Sequence, residues 1–206
     1  MSDYKRRRPR KWVGQVALFD FDGTLIAKDS FPAFAKFALG RRRWWLGVLK
    51  SLPWLIGWKV GVIRSSKAKE HLFGKLYAGM DYGEFCRKGE MFADRVTPMM
   101  RHKVRVDLSH IQMKGVPVVV VTASMRQWVA PWAETFGIKK VIATEPEVGD
   151  DGRLTGRFAT PNCKGKEKVA RIRAEFPDID NMEVFAWGNL PEDKWMFRLA
   201  IESHIV

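Results

Sequence analysis

Two aspartates, Asp20 and Asp22, lie two positions apart where a short apolar run gives way to the sequence Gly-Thr-Leu. Carboxylates this close together resist joint ionisation, and a bound divalent cation relieves that repulsion. One carboxylate can then act as a nucleophile while its neighbour carries a proton. The ordinary alternative is a simple turn, because Asp and Gly are both favoured in turns.

The segments around this pair predict an α/β fold. Val16 to Phe19 has the length and composition of a buried parallel strand. Further strands are expected at 116–124, 139–145 and 183–187, and the final ESHIV sequence has the character of a strand start. The sequence VGDDGRLTGRF predicts a hairpin, with Asp151 and Gly152 at its turn.

Helical patterns separate these strands. One helix is expected from Ser30, its predicted N-cap, to Gly40, and another follows Ser124 and closes at Gly137. A third is expected over about 165–176, and a last one after Pro191. The alternation predicts a doubly wound, Rossmann-like parallel sheet, with sites at the carboxyl ends of its strands.

Composition divides the chain further. We expect a basic flexible arm at 1–12 and a Rossmann-like core at 13–40 and 113–206. Between them, residues 41–112 show no strand signal and are expected to form an inserted α-helical cap. The basic N-terminal residues are followed by a predicted strand and not by a cleavable apolar segment, so no signal peptide is expected. With two cysteines no disulfide framework is implied, which favours a reducing, cytoplasmic location.

Charge indicates the kind of partner. The net charge of +13 favours an anionic partner, and part of it lies in the tryptophan-rich segment RRRWWLGVLKSLPWLIGWKVGVIR, residues 41–64. This segment lacks the roughly 20 uninterrupted apolar residues of a spanning helix. It suits peripheral contact with an anionic membrane, at the inner face if the protein is cytoplasmic. The alternative is that its tryptophans pack the cap against the core. No specific nucleic acid is expected.

Four segments carry a resemblance to a known family. DFDGTL after an apolar strand resembles the first signature of the haloacid dehalogenase superfamily, and VVVVTAS, NCKGKEKVARI and FAWGNLPED resemble the other three, in order. Together they span residues 16–195. The resemblance is to the branch of phosphoserine phosphatases with a helical cap, and it implies a Mg²⁺-dependent phosphatase. The basic apolar insertion and residues 163–170 also resemble bacterial phosphatidylglycerophosphate phosphatases of the C type.

The resemblance implies roles for individual residues. Asp20 would be the nucleophile that becomes an aspartyl phosphate, and Asp22 the proton donor and acceptor. The phosphate would be bound by Thr122 and Lys168, with Lys166 as the second choice of lysine. The implied metal ligands are Asp20, the backbone carbonyl of Asp22, and the side chains of Asn189 and Asp193. Substrate contacts would come from Gly23, Asp29, Ala123 and Ser124. Thr122 and Ser124 have a second interpretation, as caps of the following helix.

Two departures bear on activity. Asn189 stands where many relatives have an aspartate, so the metal site loses a negative charge. Asp29 stands near the place of a glutamate that recognises amino-acid substrates in phosphoserine phosphatases. The leading hypothesis is a phosphomonoester hydrolase, with a phospholipid head-group phosphate such as phosphatidylglycerophosphate as the preferred substrate. The alternatives are a soluble small-metabolite phosphatase and a catalytically weak protein that binds anionic lipid or nucleic acid.

Overall fold

The computed structural model describes residues 13–206, so the predicted basic arm at 1–12 lies outside the described residues. The strands are β1 Gln15–Phe19, β2 Val118–Met125, β3 Lys140–Thr144, β4 Pro146–Val148, β5 Leu154–Phe158, β6 Glu183–Gly188 and β7 Glu202–Ile205. The helices are α1 Ser30–Leu39, α2 Arg41–Lys50, α3 Leu52–Lys59, α4 Ser65–Tyr77, α5 Tyr82–Val96, α6 His102–Met113, α7 Arg126–Thr135 and α8 Lys166–Glu175. Short 3₁₀ turns occur at Thr97–Met99, Ile179–Asn181 and Phe197–Leu199.

Five of these strands form a parallel sheet in the order β3-β2-β1-β6-β7. The central strand, β1, pairs with β2 and β6, so that Leu18 lies opposite both Val119 and Ala186. Its residues from Val16 to Phe19 are fully buried. The predicted Rossmann-like sheet is confirmed, and so is the predicted buried parallel strand.

Side chains alternate across β1 and enter two hydrophobic clusters. Phe19 belongs to the larger cluster, which includes Trp128 and Trp132 of α7. Leu18 belongs to the smaller one, which includes Ile172 of α8. Apolar side chains therefore cover both faces of the sheet, which explains why β1 is a continuous apolar run rather than an alternating one.

The inserted region is helical, as expected. Helices α2 to α6 occupy most of residues 41–113, and α5 approaches α7 so closely that a Cβ on Gly89 would lie 1.9 Å from the carbonyl oxygen of Gln127. The predicted hairpin forms from β4 and β5, which pair antiparallel. None of the described helices combines the length and the apolar character that crossing a bilayer requires. The division of the chain into core and cap stays a prediction.

Two local predictions are wrong. The N-cap of α1 is Asp29, not Ser30, because the Asp29 carboxylate accepts a hydrogen bond from the Phe31 N–H at 2.9 Å. Ser30 instead begins the helix, and its hydroxyl turns inward to Ser124. No regular α-helix follows Pro191: the described chain makes turns and the 3₁₀ segment, and then forms β7. In this segment the buried Asp193 side chain forms an ion pair with Lys168.

Candidate active site

Three adjacent strands deliver the predicted site residues to one edge of the sheet. Asp20 and Asp22 follow β1, Thr122 to Ser124 lie at the end of β2, and Asn189 follows β6. Because these neighbouring strands are parallel, their carboxyl ends meet at the same edge. The structure therefore brings together residues that are almost 170 positions apart in the sequence.

Asp20 is buried and bonded at both carboxylate oxygens. Oδ1 accepts from the Lys168 ammonium at 2.5 Å, and Oδ2 accepts from the Thr24 hydroxyl at 2.8 Å. Burial raises the pKa of Asp20 to about 6, with Lys168 opposing that rise and the Asp193 charge adding to it. A cation near this carboxylate would favour its ionised form. The two bonds fix the orientation of the carboxylate that is the predicted nucleophile.

Lys168 forms a buried bridge between two carboxylates. Its Nζ lies 2.5 Å from Oδ1 of Asp20 and 2.6 Å from Oδ1 of Asp193, and its side chain is 3% exposed. Burial alone would lower the pKa of Lys168, but the two adjacent carboxylates raise it above its ordinary value. The ammonium is therefore held charged at the wall of the site.

The other two lysines of this segment lie elsewhere. Lys166 is exposed, and its ammonium lies over the Trp195 ring at 4.9 Å from the centroid. Lys164 forms an ion pair with Glu192 at 2.9 Å, and both residues line the cavity described below. Among the three candidates, the contacts favour Lys168 as the lysine of the reacting centre.

The Asp22 carboxylate accepts hydrogen bonds from the start of α1 and from the end of β2. One oxygen accepts from the Ser30 backbone N–H at 2.6 Å and the other from the Ser124 hydroxyl at 2.5 Å. The Ser30 hydroxyl lies 2.9 Å from the Ser124 hydroxyl and accepts from the Trp128 indole at 3.0 Å. A hydroxyl has a single hydrogen, so Ser30 must donate to Ser124 when Ser124 donates to Asp22. Ser124 thus orients Asp22.

Asp22 and Asn189, two of the predicted metal ligands, contact each other and line the cavity with Asp20. Asn189 donates its amide nitrogen to the Asp22 carbonyl at 3.2 Å. Gly23, with φ +81°, allows this approach, because a Cβ there would lie 2.6 Å from that nitrogen. Rotating the Asn189 side-chain amide by half a turn would exchange its nitrogen and oxygen. The amide oxygen would then lie beside the Asp22 carbonyl oxygen.

These donors suit Mg²⁺ better than a metal that needs a full set of protein ligands. Among residues 13–206 no three His, Cys, Asp or Glu side chains are grouped as a metal site. Mg²⁺ usually keeps several waters and binds through one or two carboxylates. The Asp20 carboxylate, the Asp22 carbonyl and the Asn189 amide fit that requirement.

Asp193 accepts one protein hydrogen bond at each carboxylate oxygen. Its Oδ1 accepts from Lys168 and its Oδ2 accepts from the Asn189 N–H at 2.9 Å. Each oxygen keeps a further lone pair, as in Asp20. Asp193 therefore contacts both Lys168 and Asn189, and direct metal ligation by Asp193 stays a prediction.

The remaining predicted residues line the cavity. Thr122 is buried, and its hydroxyl oxygen accepts from the Ser124 N–H at 3.0 Å, so its hydrogen is left as a donor. Ala123 offers its carbonyl to the Lys69 ammonium at 3.0 Å and to the Thr144 hydroxyl at 2.9 Å. Asp29 lines the same space while it caps α1.

The cavity has a volume of about 460 Å³ and is lined by two unlike kinds of residue. Polar groups come from Asp20, Asp22, Thr122, Lys168 and Asn189. The apolar lining comes from the helices that follow β1: Phe31, Pro32, Trp44, Leu55, Trp58 and Leu72. The inserted helices therefore place hydrophobic side chains in the same cavity as the predicted site residues.

Sequence reasoning missed three residues of the site. Thr24 lies in the DFDGTL signature, four residues after Asp20. This place in the signature could have identified it as a site residue. Ser30 was assigned only as a cap. Lys69 lies in the middle of α4 with no local signal, yet it lines the cavity. Burial lowers the pKa of Lys69, and the charges of Asp22 and Asp29 oppose that shift.

Replacing Lys69 with alanine tests whether this cation binds the substrate. A hydrogen bond to a charged group is worth about 1.5–3 kcal/mol, so we expect kcat/KM for an anionic phosphomonoester to fall roughly 10- to 100-fold. The matched control is Lys67→Ala on the same helix, since Lys67 pairs with Glu70 and its side chain is 65% exposed. Steady-state kinetics of both variants measure the effect. Equal losses in the two variants would contradict a specific role for Lys69.

Comparisons with known proteins identify the family. A family model described as haloacid dehalogenase-like hydrolase matches residues 17–198. Protein CicA of Caulobacter vibrioides is 35% identical over 197 residues, which cover 91% of this chain and 84% of that protein. The histidinol-phosphatase of Neisseria meningitidis serogroup C is 28% identical over 169 residues, which cover 76% of this chain and 72% of the relative.

Solved structures share the fold. A protein with unknown function from Bordetella pertussis Tohama I matches with a TM-score of 0.74 and 25% identity, covering 92% of this chain and 89% of its own. A phosphoserine phosphatase solved as an analogue of its phospho-aspartyl intermediate matches with a TM-score of 0.57 and 20% identity, covering 92% of this chain and 85% of its own. At this identity the second match supports the fold alone.

Proposed function

Because the chain belongs to the haloacid dehalogenase-like hydrolase family and is a phosphatase of that family, we propose that it hydrolyses phosphomonoesters with Mg²⁺ through an aspartyl phosphate on Asp20. The observation that carries this proposal is the buried bridge in which Lys168 joins Asp20 and Asp193, beside the clamped carboxylate of Asp22. Asp20, Asp22 and Lys168, the proposed nucleophile, proton carrier and fixed cation, all line the cavity.

The proposed reaction consists of two displacements at phosphorus. In the first, a carboxylate oxygen of Asp20 forms a bond to phosphorus, the bond to the leaving oxygen breaks, and Asp22 gives that oxygen its proton. In the second, water attacks the same phosphorus, Asp22 takes a proton from the water, and the bond to Asp20 breaks. Inorganic phosphate and the free carboxylate are the products.

Cationic groups make the attack of one anion on another feasible. Lys168 keeps its charge because two carboxylates surround it, and Thr122 supplies a hydroxyl donor from the neighbouring strand β2. Asp20, the Asp22 carbonyl and Asn189 would hold Mg²⁺, which would further neutralise the phosphoryl oxygens. Asn189 adds no negative charge, so we expect weaker Mg²⁺ binding than an aspartate there would give.

The walls of the cavity bear on the substrate. Hydrophobic side chains of Trp44, Leu55, Trp58 and Leu72 line the same cavity as Asp20. Such a wall favours a phosphomonoester with an apolar part, and we propose a phospholipid head-group phosphate such as that of phosphatidylglycerophosphate. A soluble metabolite is the second candidate, because one relative is named histidinol-phosphatase and because Asp29 and Lys69 add charged groups to the cavity.

An activity assay separates these possibilities. With an aryl phosphate we expect turnover that chelation of divalent cations abolishes and that added Mg²⁺ restores. Phosphatidylglycerophosphate in mixed micelles, histidinol phosphate and phosphoserine are then compared by kcat/KM. We expect the lipid to be the best of the three, and a higher value for either soluble substrate would overturn the lipid assignment. Turnover that survives chelation would contradict the metal requirement.

A further inference from the structure

The sequence raised two roles for the tryptophans of residues 41–64, and the structure divides them. Trp44 is buried and contacts the Phe31 ring, with 6.3 Å between centroids, as the packing alternative predicts. Trp45 is 59% exposed and Trp58 is 45% exposed. Trp54 stacks on His71 at 4.5 Å between centroids but is also exposed. Packing of the cap therefore explains Trp44. It does not explain the exposed side chains of Trp45, Trp54 and Trp58.

Most residues of α2 and α3 are exposed, and we call the exposed apolar side chains of residues 45–62 the α2–α3 surface. Helix α2 buries only Trp44 and Gly47, and α3 has no buried residue at all. Ser51 alone separates the two helices. The exposed apolar side chains include Trp45, Leu46, Leu49 and Ile56 on the helices, and Val60 and Val62 just after α3. So many exposed apolar side chains within one short segment indicate a surface that binds a partner.

The charge around this surface has a single sign. Arg41, Arg42, Arg43, Lys50, Lys59 and Arg64 lie within residues 41–64, and no Asp or Glu occurs between Asp29 and Glu70. A second copy of this chain would bring the same cations to a symmetric interface, where they would repel. An anionic partner removes that repulsion, and tryptophan with arginine and lysine around aliphatic side chains suits the boundary of a lipid bilayer.

We propose that the α2–α3 surface docks on an anionic phospholipid bilayer, with the mouth of the catalytic cavity turned toward the lipid. Trp58 and Leu55 connect the two features, because they belong to α3 and also line the cavity. The docking does not depend on the phosphatase reaction. Delivery of a lipid-borne phosphate to Asp20 from the bilayer surface does rest on the function proposed above.

Vesicle co-sedimentation of the full chain tests the docking. We expect binding to phosphatidylcholine vesicles that contain phosphatidylglycerol and much weaker binding to phosphatidylcholine alone. The double variant Trp45→Ser/Leu49→Ser removes apolar contacts, and Arg41→Glu/Arg42→Glu reverses charge. Each is expected to weaken binding at least about tenfold, because binding depends on both buried apolar area and attraction to anionic lipid. Aryl phosphatase activity should stay at the wild-type level in both, which shows that they fold.

Matched controls lie on α6. Val106→Ser/Met113→Ser removes exposed apolar side chains, and Lys103→Glu/Lys114→Glu reverses exposed charges. Both should bind vesicles like the wild type. Replacing Arg6, Arg7 and Arg8 with glutamine reports on the basic arm. Loss of binding in that variant, with normal binding by the α2–α3 variants, would overturn the proposal.

Three further outcomes are decisive. Absence of vesicle binding by the wild type overturns the docking, and so does a dimer that Trp45→Ser/Leu49→Ser dissociates without any effect on vesicles. The Asp20→Asn protein should bind vesicles as tightly as the wild type. If it binds while the wild type shows no turnover, the phosphatase proposal fails and the docking surface stands.

Discussion

Turnover falls by roughly 10⁴-fold or more when Asp20 is replaced by asparagine, if Asp20 is the nucleophile. The amide has nearly the same shape but cannot form the acyl phosphate. The fold is expected to persist, because Lys168 keeps its contact with Asp193 at 2.6 Å. Single-turnover and steady-state assays, together with thermal unfolding, measure both effects.

The control for this variant is Asp151→Asn. Asp151 is exposed in the turn of the β4–β5 hairpin, away from the cavity, and should leave the rate unchanged. Retention of more than about a hundredth of the wild-type rate by a pure Asp20→Asn protein would rule out Asp20 as the nucleophile.

Lys168→Met is expected to produce the second-largest effect. Methionine fills similar volume but leaves Asp20 and Asp193 buried without the ammonium between them. Their repulsion and burial would raise the pKa of Asp20 further, so the nucleophile would be protonated more often. Loss of one fixed charge-stabilising group costs about 10²–10³-fold in kcat. Breaking a buried ion pair costs about 3–5 kcal/mol in the free energy of unfolding.

Two companion variants sharpen this test. Lys166→Met removes the neighbouring lysine, whose ammonium lies over the exposed side of Trp195, and should change kcat/KM by no more than about twofold. Lys168→Arg retains the charge and most of the stability, but a planar guanidinium does not fit the position of a compact ammonium. We expect Lys168→Arg to fold and to be slow. A larger loss in Lys166→Met than in Lys168→Met would reverse the assignment of the lysine.

Much of the fold follows from local sequence. Val16 to Phe19 is apolar at every position because β1 is covered on both faces, and this pattern predicts a buried parallel strand. The four ordered signatures predicted the family, which the comparisons confirm. They also pointed to Asp20, Asp22, Thr122 and Lys168, which the structure brings to one edge of the sheet.

What the sequence did not reveal depends on distances between elements. Lys69 reaches the cavity only because α4 folds back over the end of β2, where its ammonium meets the Ala123 carbonyl. Ser30 contacts Asp22 directly through its backbone N–H and indirectly through the Ser124 hydroxyl. The segment after Pro191 has helix-forming residues but forms turns and a 3₁₀ segment, and its Asp193 side chain is buried in an ion pair with Lys168. Such competition between local preference and tertiary contact has no short-range signature.

The most direct test of the central claim is rapid quenching of the reaction with a substrate radiolabelled at phosphorus, followed by peptide mapping. We predict a transient, acid-stable label on the peptide that contains residues 15–25, assigned to Asp20 and missing from Asp20→Asn. A burst of inorganic phosphate with no labelled protein at any time, or a label on a different residue, would contradict the account.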